Sequence, residues 1–340
     1  MRENDPWSAE AAYQFMHRNM PGTGEPALES PDLQAKTWGR RWGVNSDVGH
    51  LRTVLVRRPG QEWAVMMSGG EYVDQARAWI GPDMMWYWAD MNRPDLELAQ
   101  AQHDGLVTAL EAEGVEVVHL HEPPVHLTKS IFTRDPAIIT RGGAVICRFG
   151  IDYRRSEELP FTRTLAHLGM PILHTIHGTG LMEGGGFAWL NSETAVVGIG
   201  HRSDLEGARQ LGEVLKTQGV DLHLIDNLGY GLHIDGSFVM VDSDMALAFS
   251  FELPWRFLEK LKELGIRVLE ADPRDGPFGV NCLAVSPGRV IMAAHAERTA
   301  DRLDKLGVEV ILVEYSEIHK GGGGIHCSTL PLVRDDGLPA

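Results

Sequence analysis

The chain is poor in cysteine. Cys147, Cys282 and Cys327 form an odd set with no close pair in 340 residues. That argues against a disulfide framework and points to a reducing compartment, the cytoplasm. Zinc-type spacings are missing as well, with no Cys-x-x-Cys and no His-x-x-x-His despite 15 histidines. No apolar run is long enough to span a membrane, and the opening Met-Arg-Glu-Asn-Asp-Pro-Trp has no signal-peptide apolar stretch. Basic excess is absent too. A net charge of −16 offers nucleic acid no basic face, yet it would steer small cations. The run Gly-Gly-Gly-Gly at 321–324 lacks the Gly-Lys-Ser/Thr ending of a phosphate loop. Neither a metal nor an organic cofactor is called for. What remains is the composition of a globular enzyme, with 43% hydrophobic residues to supply a large core.

The order in that composition is a repeat. A helical run, a glycine and a short alternating strand recur five times, turning at Gly114, Gly169, Gly219, Gly265 and Gly307. Glycine after the last helical turn reads as a left-handed cap. Between these pieces lie strand pairs broken by turn residues: 137–139/144–147, 187–190/194–197, 238–241/245–249 and 282–285/290–292. Each reads as a hairpin. The first unit begins with the strand at 53–56, followed by a Met- and Trp-rich insertion around 66–91 that supplies core and some lid. Single units of this kind cannot bury their own faces. The expectation is an α/β protein of one domain, a five-bladed propeller of hairpin-helix-strand units over 51–340. Residues 1–50 form an arm packed on it, pinned by Trp7, Trp38 and Trp42.

Chemistry-bearing residues stand just before the hairpins: Asp135, Glu183, His233 with Asp235, Asn281, and on the closing return Cys327. A shared axis would gather them at one mouth. Three carboxylates suit a planar, cationic guanidinium, which donates N–H bonds in pairs. Cys327 would attack its carbon, His233 would protonate the departing amine, and His233 would then activate water. Cys147 and Cys282 lie within apolar strands and read as inert thiols.

In this order, Thr-Arg-Asp135-Pro, Glu183-Gly-Gly, His233-Ile-Asp235 and Gly-Gly-Gly-Ile-His-Cys327, the motifs resemble those of the guanidino-group-modifying enzymes of the pentein superfamily, which include arginine deiminase, dimethylarginine dimethylaminohydrolase and glycine amidinotransferase. The resemblance implies a pentein-type propeller with Cys327 as nucleophile, His233 as acid and base, and Asp135, Glu183 and Asp235 as their partners. It also implies that Arg154 and Arg202, each 19 residues past Asp135 and Glu183, bind the substrate carboxylate. Gly324 and Lys129 complete the expected substrate-binding set. The sequence departs from deiminases at Gly186, Gly322 and Lys129, which leaves the group that recognises the substrate tail open.

The resulting expectation is a cofactor-independent hydrolase of a guanidino or ureido C–N bond in an arginine-like small molecule. An amidinotransferase and a non-catalytic binding propeller are the alternatives. The enzyme reading predicts a Cys327 thiolate that is alkylated fast and protected by guanidino compounds. No membrane or nucleic-acid partner is expected, and a homo-oligomer is left open.

Overall fold

All five turning glycines take positive φ, between 73° and 87°, a region that side chains disfavour. They close the helices Leu96–Ala112, Glu158–His167, Leu205–Thr217, Trp255–Glu263 and Glu297–Asp304. The computed structural model describes residues 9–20, 28, 30–82, 84–121, 126–229 and 231–336. After each glycine the chain enters an outer strand: Glu116–His119, Ile172–Thr175, Asp221–Asp226, Arg267–Glu270 or Glu309–Val313. Where helices begin, Asp95 and Asp204 accept the Leu98 and Gly207 amides at 2.9 and 2.8 Å, caps worth about 1 kcal/mol each.

Five three-stranded sheets share one plan. An inner and a middle strand pair antiparallel, and the outer strand after the helix joins the middle one in parallel. The inner and middle pairs are Ala137–Thr140 with Gly143–Ile146, Phe187–Asn191 with Thr194–Ile199, Phe238–Asp242 with Met245–Ala248, and Leu283–Ser286 with Arg289–Ala293. All four hairpins read from the sequence are therefore present, to within two residues. The first sheet is assembled differently. Its middle strand Leu51–Val56 takes its inner partner, Leu330–Arg334, from the far end of the chain. Sheets meet through inner strands: Phe238–Asp242 lies against both Phe187–Asn191 and Leu283–Ser286, and Leu330–Arg334 lies against Ala137–Thr140. The inner and middle strands are buried almost throughout, as continuous apolar runs covered on both faces require. Helix Trp255–Glu263 shows how the outside is closed. Phe257 and Leu261 are buried while the lysines and glutamates face water.

The Met/Trp insertion carries helix Gln61–Ser68 and a sixth, antiparallel sheet of Glu71–Val73, Ala78–Ile80 and Trp86–Trp88. Trp63, Met66, Met85 and Trp88 are buried core; Met84, Trp86 and Met91 are exposed. In the N-terminal arm, helix Ala9–Asn19 buries no residue. Trp42 is buried and Trp38 exposed, Gly43 bridges to Val333 beside the C-terminal strand, and Trp7 lies outside the described residues. No helix among the described residues is long and apolar enough to cross a membrane.

Candidate active site

Each of the five repeated sheets delivers its polar residue just before its inner strand. Asp135 precedes Ala137–Thr140, and Glu183 precedes a single turn, Gly184–Gly186, that leads into Phe187–Asn191. His233 and Asp235 enter Phe238–Asp242 through a matching turn, Asn281 precedes Leu283–Ser286, and Cys327 precedes Leu330–Arg334. Hydrogen bonds run from one opening to the next. Gly184 N–H donates to the Asp135 carbonyl at 2.8 Å, His233 Nε2 meets Glu183 Oε2 at 2.8 Å, and Asn281 Nδ2 donates to the Asp235 carbonyl at 3.0 Å. Arg134 N–H donates to the Cys327 carbonyl at 3.0 Å. The structure thus brings Asp135, Glu183, His233, Asp235 and Cys327 together. Gly185 is required by close approach: a Cβ there would stand 2.7 Å from Asp135 Oδ1 and 2.8 Å from His233 Nδ1.

On one flank the charges are matched. His233 lies between two carboxylates, with Nε2 on Glu183 and Nδ1 3.6 Å from Asp135 Oδ1. Burial opposes its protonation, but Asp135 and Glu183 outweigh that and raise its pKa to about 9. Glu183 is fully buried, which would favour the neutral acid; the His233 bond and the nearby arginines hold it well below the usual range instead. Arg154 is paired on both sides, with Nη1 2.5 Å from Asp135 Oδ2 and a two-point contact to Glu157 at 3.0 and 2.8 Å. Its Nη2 also reaches the Phe132 carbonyl at 3.3 Å. Arg202 uses Nη1 on both Glu183 oxygens, at 3.3 and 3.4 Å.

On the other flank the thiol stands among anions and dipoles. Cys327 Sγ lies 3.4 Å from Asp235 Oδ2 and accepts from Asn281 Nδ2 at 3.2 Å, while Asn281 Oδ1 accepts the Cys327 N–H at 3.2 Å. His326 donates from Nδ1 to the same Asp235 Oδ2 at 2.9 Å. Burial would raise the Asp235 pKa, but this bond holds it below the usual range. Burial, Asp235 and Asp135 push the Cys327 thiol well above its ordinary pKa. A fast-reacting thiolate in the free protein was the expectation; burial first, and the Asp235 and Asp135 carboxylates after it, work against that form. Cys147 and Cys282 are buried, and the Cys282 thiol is pushed up to about 12.

Other expected residues take different places. Lys129 is buried, with Nζ donating to the Tyr87 and Gly321 carbonyls at 2.8 Å each. Gly324 packs against Asn281, where a Cβ would meet Oδ1 at 2.4 Å. Sequence reasoning placed Asn281 at the mouth without giving it a role, and gave none to Glu157 or His326. Asn281 carried a signal, since it occupies the same place before a hairpin as the carboxylates. Glu157 carried a weaker one, three residues past Arg154.

Asp135, Glu183 and His233 offer ligand atoms within 4.8 Å of one another, a spacing a metal ion accepts. The surrounding charge works against that use. Arg154 and Arg202 already neutralise both carboxylates, and His233 would have to lose a proton that it holds up to about pH 9.

Residues 88–334, more than half of the chain, match the model of the family described as N,N dimethylarginine dimethylhydrolase, eukaryotic. The chain belongs to this family. With it come the guanidino hydrolases of the pentein superfamily. The dimethylarginine dimethylaminohydrolase of Pseudomonas aeruginosa is 28% identical over 240 residues, covering 71% of this chain and 91% of that protein. Its structure with citrulline bound has a TM-score of 0.68 at 24% identity over 83% of this chain and 99% of that one, a likeness of fold alone. The arginine deiminase of Listeria welshimeri is 29% identical over 414 aligned positions, covering 86% of this chain and 98% of that protein. The inosamine-phosphate amidinotransferase of Streptomyces griseus shares the fold, with a TM-score of 0.69 at 15% identity over 88% of this chain and 98% of that one. A pentein α/β enzyme of the amidinohydrolase type is the result.

Proposed function

We propose that this enzyme hydrolyses a C–N bond of a cationic guanidino compound through a covalent amidino-thioether on Cys327. One arrangement carries the reading: the Cys327 sulfur stands 3.4 Å from the buried carboxylate of Asp235, while Asp135 and Glu183 flank His233 and favour its protonated form. A guanidinium bound between Asp135 and Asp235 adds positive charge directly beside this thiol and favours its ionised form. The thiol proton of Cys327 passes to solvent, the thiolate attacks the central carbon, and the C–N bond breaks as His233 gives its own proton to the departing amine. Neutral His233 then takes a proton from water, whose oxygen attacks the amidino carbon. The C–S bond breaks and the urea-type product leaves with Cys327 restored. A neutral ureido substrate would not bring that charge, so the cation is favoured.

Arg154 serves in this reading to hold Asp135 and Glu157, since its Nε, Nη1 and Nη2 are all engaged. Arg202 shows contacts through Nη1 alone, which leaves its other N–H groups for a substrate carboxylate. The five repeated sheets close, in this reading, into a propeller whose inner strands surround the site. Three unpaired cysteines suit a reducing, cytoplasmic setting.

The test is release of ammonia, amines and ureido products from arginine, methylated arginines, agmatine, guanidino acids and citrulline, with wild type and Cys327→Ala. Turnover of a guanidino compound that depends on Cys327 is expected. Turnover only after an amine acceptor is added would make the enzyme an amidinotransferase, and turnover of citrulline alone would sink the cationic substrate. Faster reaction with arginine than with agmatine, lost in Arg202→Ala, would place the substrate carboxylate on Arg202.

A further inference from the structure

The insertion at 61–93 holds none of the reacting groups, yet it is bonded directly to the loop that carries the nucleophile. Ala89 N–H donates to the Lys320 carbonyl at 2.7 Å. Lys129 Nζ spans from the Tyr87 carbonyl in the insertion to the Gly321 carbonyl in the glycine run, 2.8 Å on each side. It lies 5.6 Å from the centre of the Trp88 ring. Just past the insertion, Asp95 N–H donates to Glu317 Oε2 at 2.7 Å, and Lys320 Nζ reaches both Glu317 oxygens at 2.8 Å.

Packing follows the same path. Trp63 and Trp88 meet edge to face at 4.9 Å, and a Cβ at Gly321 would lie 3.3 Å from Trp63 Cζ2. Phe132 presses on Gly323 from the loop that also supplies Asp135. Next to Lys129, Thr128 Oγ1 donates to Met85 Sδ at 3.4 Å.

A run of four glycines has no side chains to fix its own path. Its carbonyl partners have to do so. We propose that Lys129 is a positioning residue that latches the 61–93 insertion onto the glycine loop and thereby fixes Cys327 for attack, rather than a group that touches substrate. This assignment rests on the thiol reaction proposed above for the catalytic step alone; the latch itself is a matter of the loop's conformation. Removing Lys129 cuts the bond that links the Tyr87 carbonyl to the Gly321 carbonyl and loosens the glycine loop. A displacement of about 1 Å at the reacting atom lowers rate about 100-fold.

Two variants test it, Lys129→Met, which keeps the side-chain volume, and Ala89→Pro, which removes the other donor at an exposed position. Both are compared with wild type by steady-state kinetics on the guanidino compound turned over, and by amide hydrogen exchange. The expected result is a fall of about 10- to 100-fold in kcat with little change in KM. Exchange should accelerate over 321–327 while the strands 245–248 and 289–293 stay protected. Unchanged exchange over 321–327 in folded Lys129→Met would overturn the latch, and so would a rise in KM at constant kcat, which would return Lys129 to substrate binding. If wild type turns over no guanidino compound, the exchange result decides the latch by itself while the proposed reaction falls separately.

Discussion

The two flanks of the site follow opposite electrostatic plans. Around His233 each buried carboxylate meets a cation, Asp135 and Glu157 through Arg154 and Glu183 through Arg202 and the imidazolium. Around Cys327 the thiol faces Asp235 and Asn281, and His326 behind Asp235 is kept neutral by burial and the charge of Arg134. The first flank is paired without substrate, so the protonated form of His233 that the proposed reaction uses as acid is favoured before anything binds. The second holds the buried Arg134 as its fixed cation, and an entering cation adds a further positive charge beside the thiol. In the proposed reaction that division would tie activation of Cys327 to the arrival of a cationic ligand.

The comparison breaks most visibly at the nucleophile. Cys327→Ala should lower turnover by about 10⁴-fold or more and leave the His233 titration in place, since the matched flank does not depend on sulfur. Histidine-resolved NMR titration beside the kinetic assay checks both halves.

Arg154→Met strikes the matched flank instead. It leaves Asp135 and Glu157 buried without their cation, and removing one partner of such a network costs about 3–5 kcal/mol. The midpoint of urea unfolding should fall accordingly, and Glu157, already raised to about 7 by burial against the pull of Arg154, should become fully protonated at neutral pH.

Asn281→Ala touches only the thiol side. Losing its contact with sulfur and with the Cys327 N–H should lower kcat about 10- to 100-fold and move the pH profile of iodoacetamide labelling upward, because an N–H donor that favours the thiolate is gone. Denaturation midpoints should change less than in Arg154→Met.

For His233 the sign follows from its raised pKa. The protonated form persists to about pH 9, so kcat should hold through neutral pH and fall above about 9. The matching contribution to stability is complete below the unfolded value near 6.5 and is lost as pH rises through about 9. In Glu183→Gln, which removes an anion from Nε2, the basic limb should move to lower pH. An unmoved limb would mean that another group titrates there.

The smallest effect belongs outside both flanks. Arg58 and Asp104 form a two-point pair at 2.7 and 2.9 Å, but both side chains are about half exposed. Asp104→Asn should change stability by less than about 1 kcal/mol and leave kcat unaltered.

Much of the framework was legible locally. The five turning glycines, four hairpins and the position of a polar residue before each inner strand depend on backbone preference and on apolar alternation, which neighbours in sequence express. Asp135, Glu183, His233, Asp235 and Cys327 were readable because the same place in a repeat carried an unusual residue each time. Glu157 was hidden because a glutamate near a helix start looks like any solvated charge until Arg154 is seen between it and Asp135. Lys129 entered the expected substrate set through its place upstream of Thr-Arg-Asp, and sequence does not show the Tyr87 and Gly321 carbonyls that it bonds.

By itself, then, the sequence determined the repeated unit and the chemical types that its openings present. Tertiary structure alone decided that Leu330–Arg334 completes the first sheet, that burial and carboxylates press Cys327 toward the thiol, and that Asp135 and Glu183 press His233 toward the imidazolium. The reason is physical. Strand pairing across 280 residues and the pKa of a buried group depend on what lies within a few ångströms in space, and in this chain those neighbours come from different sheets.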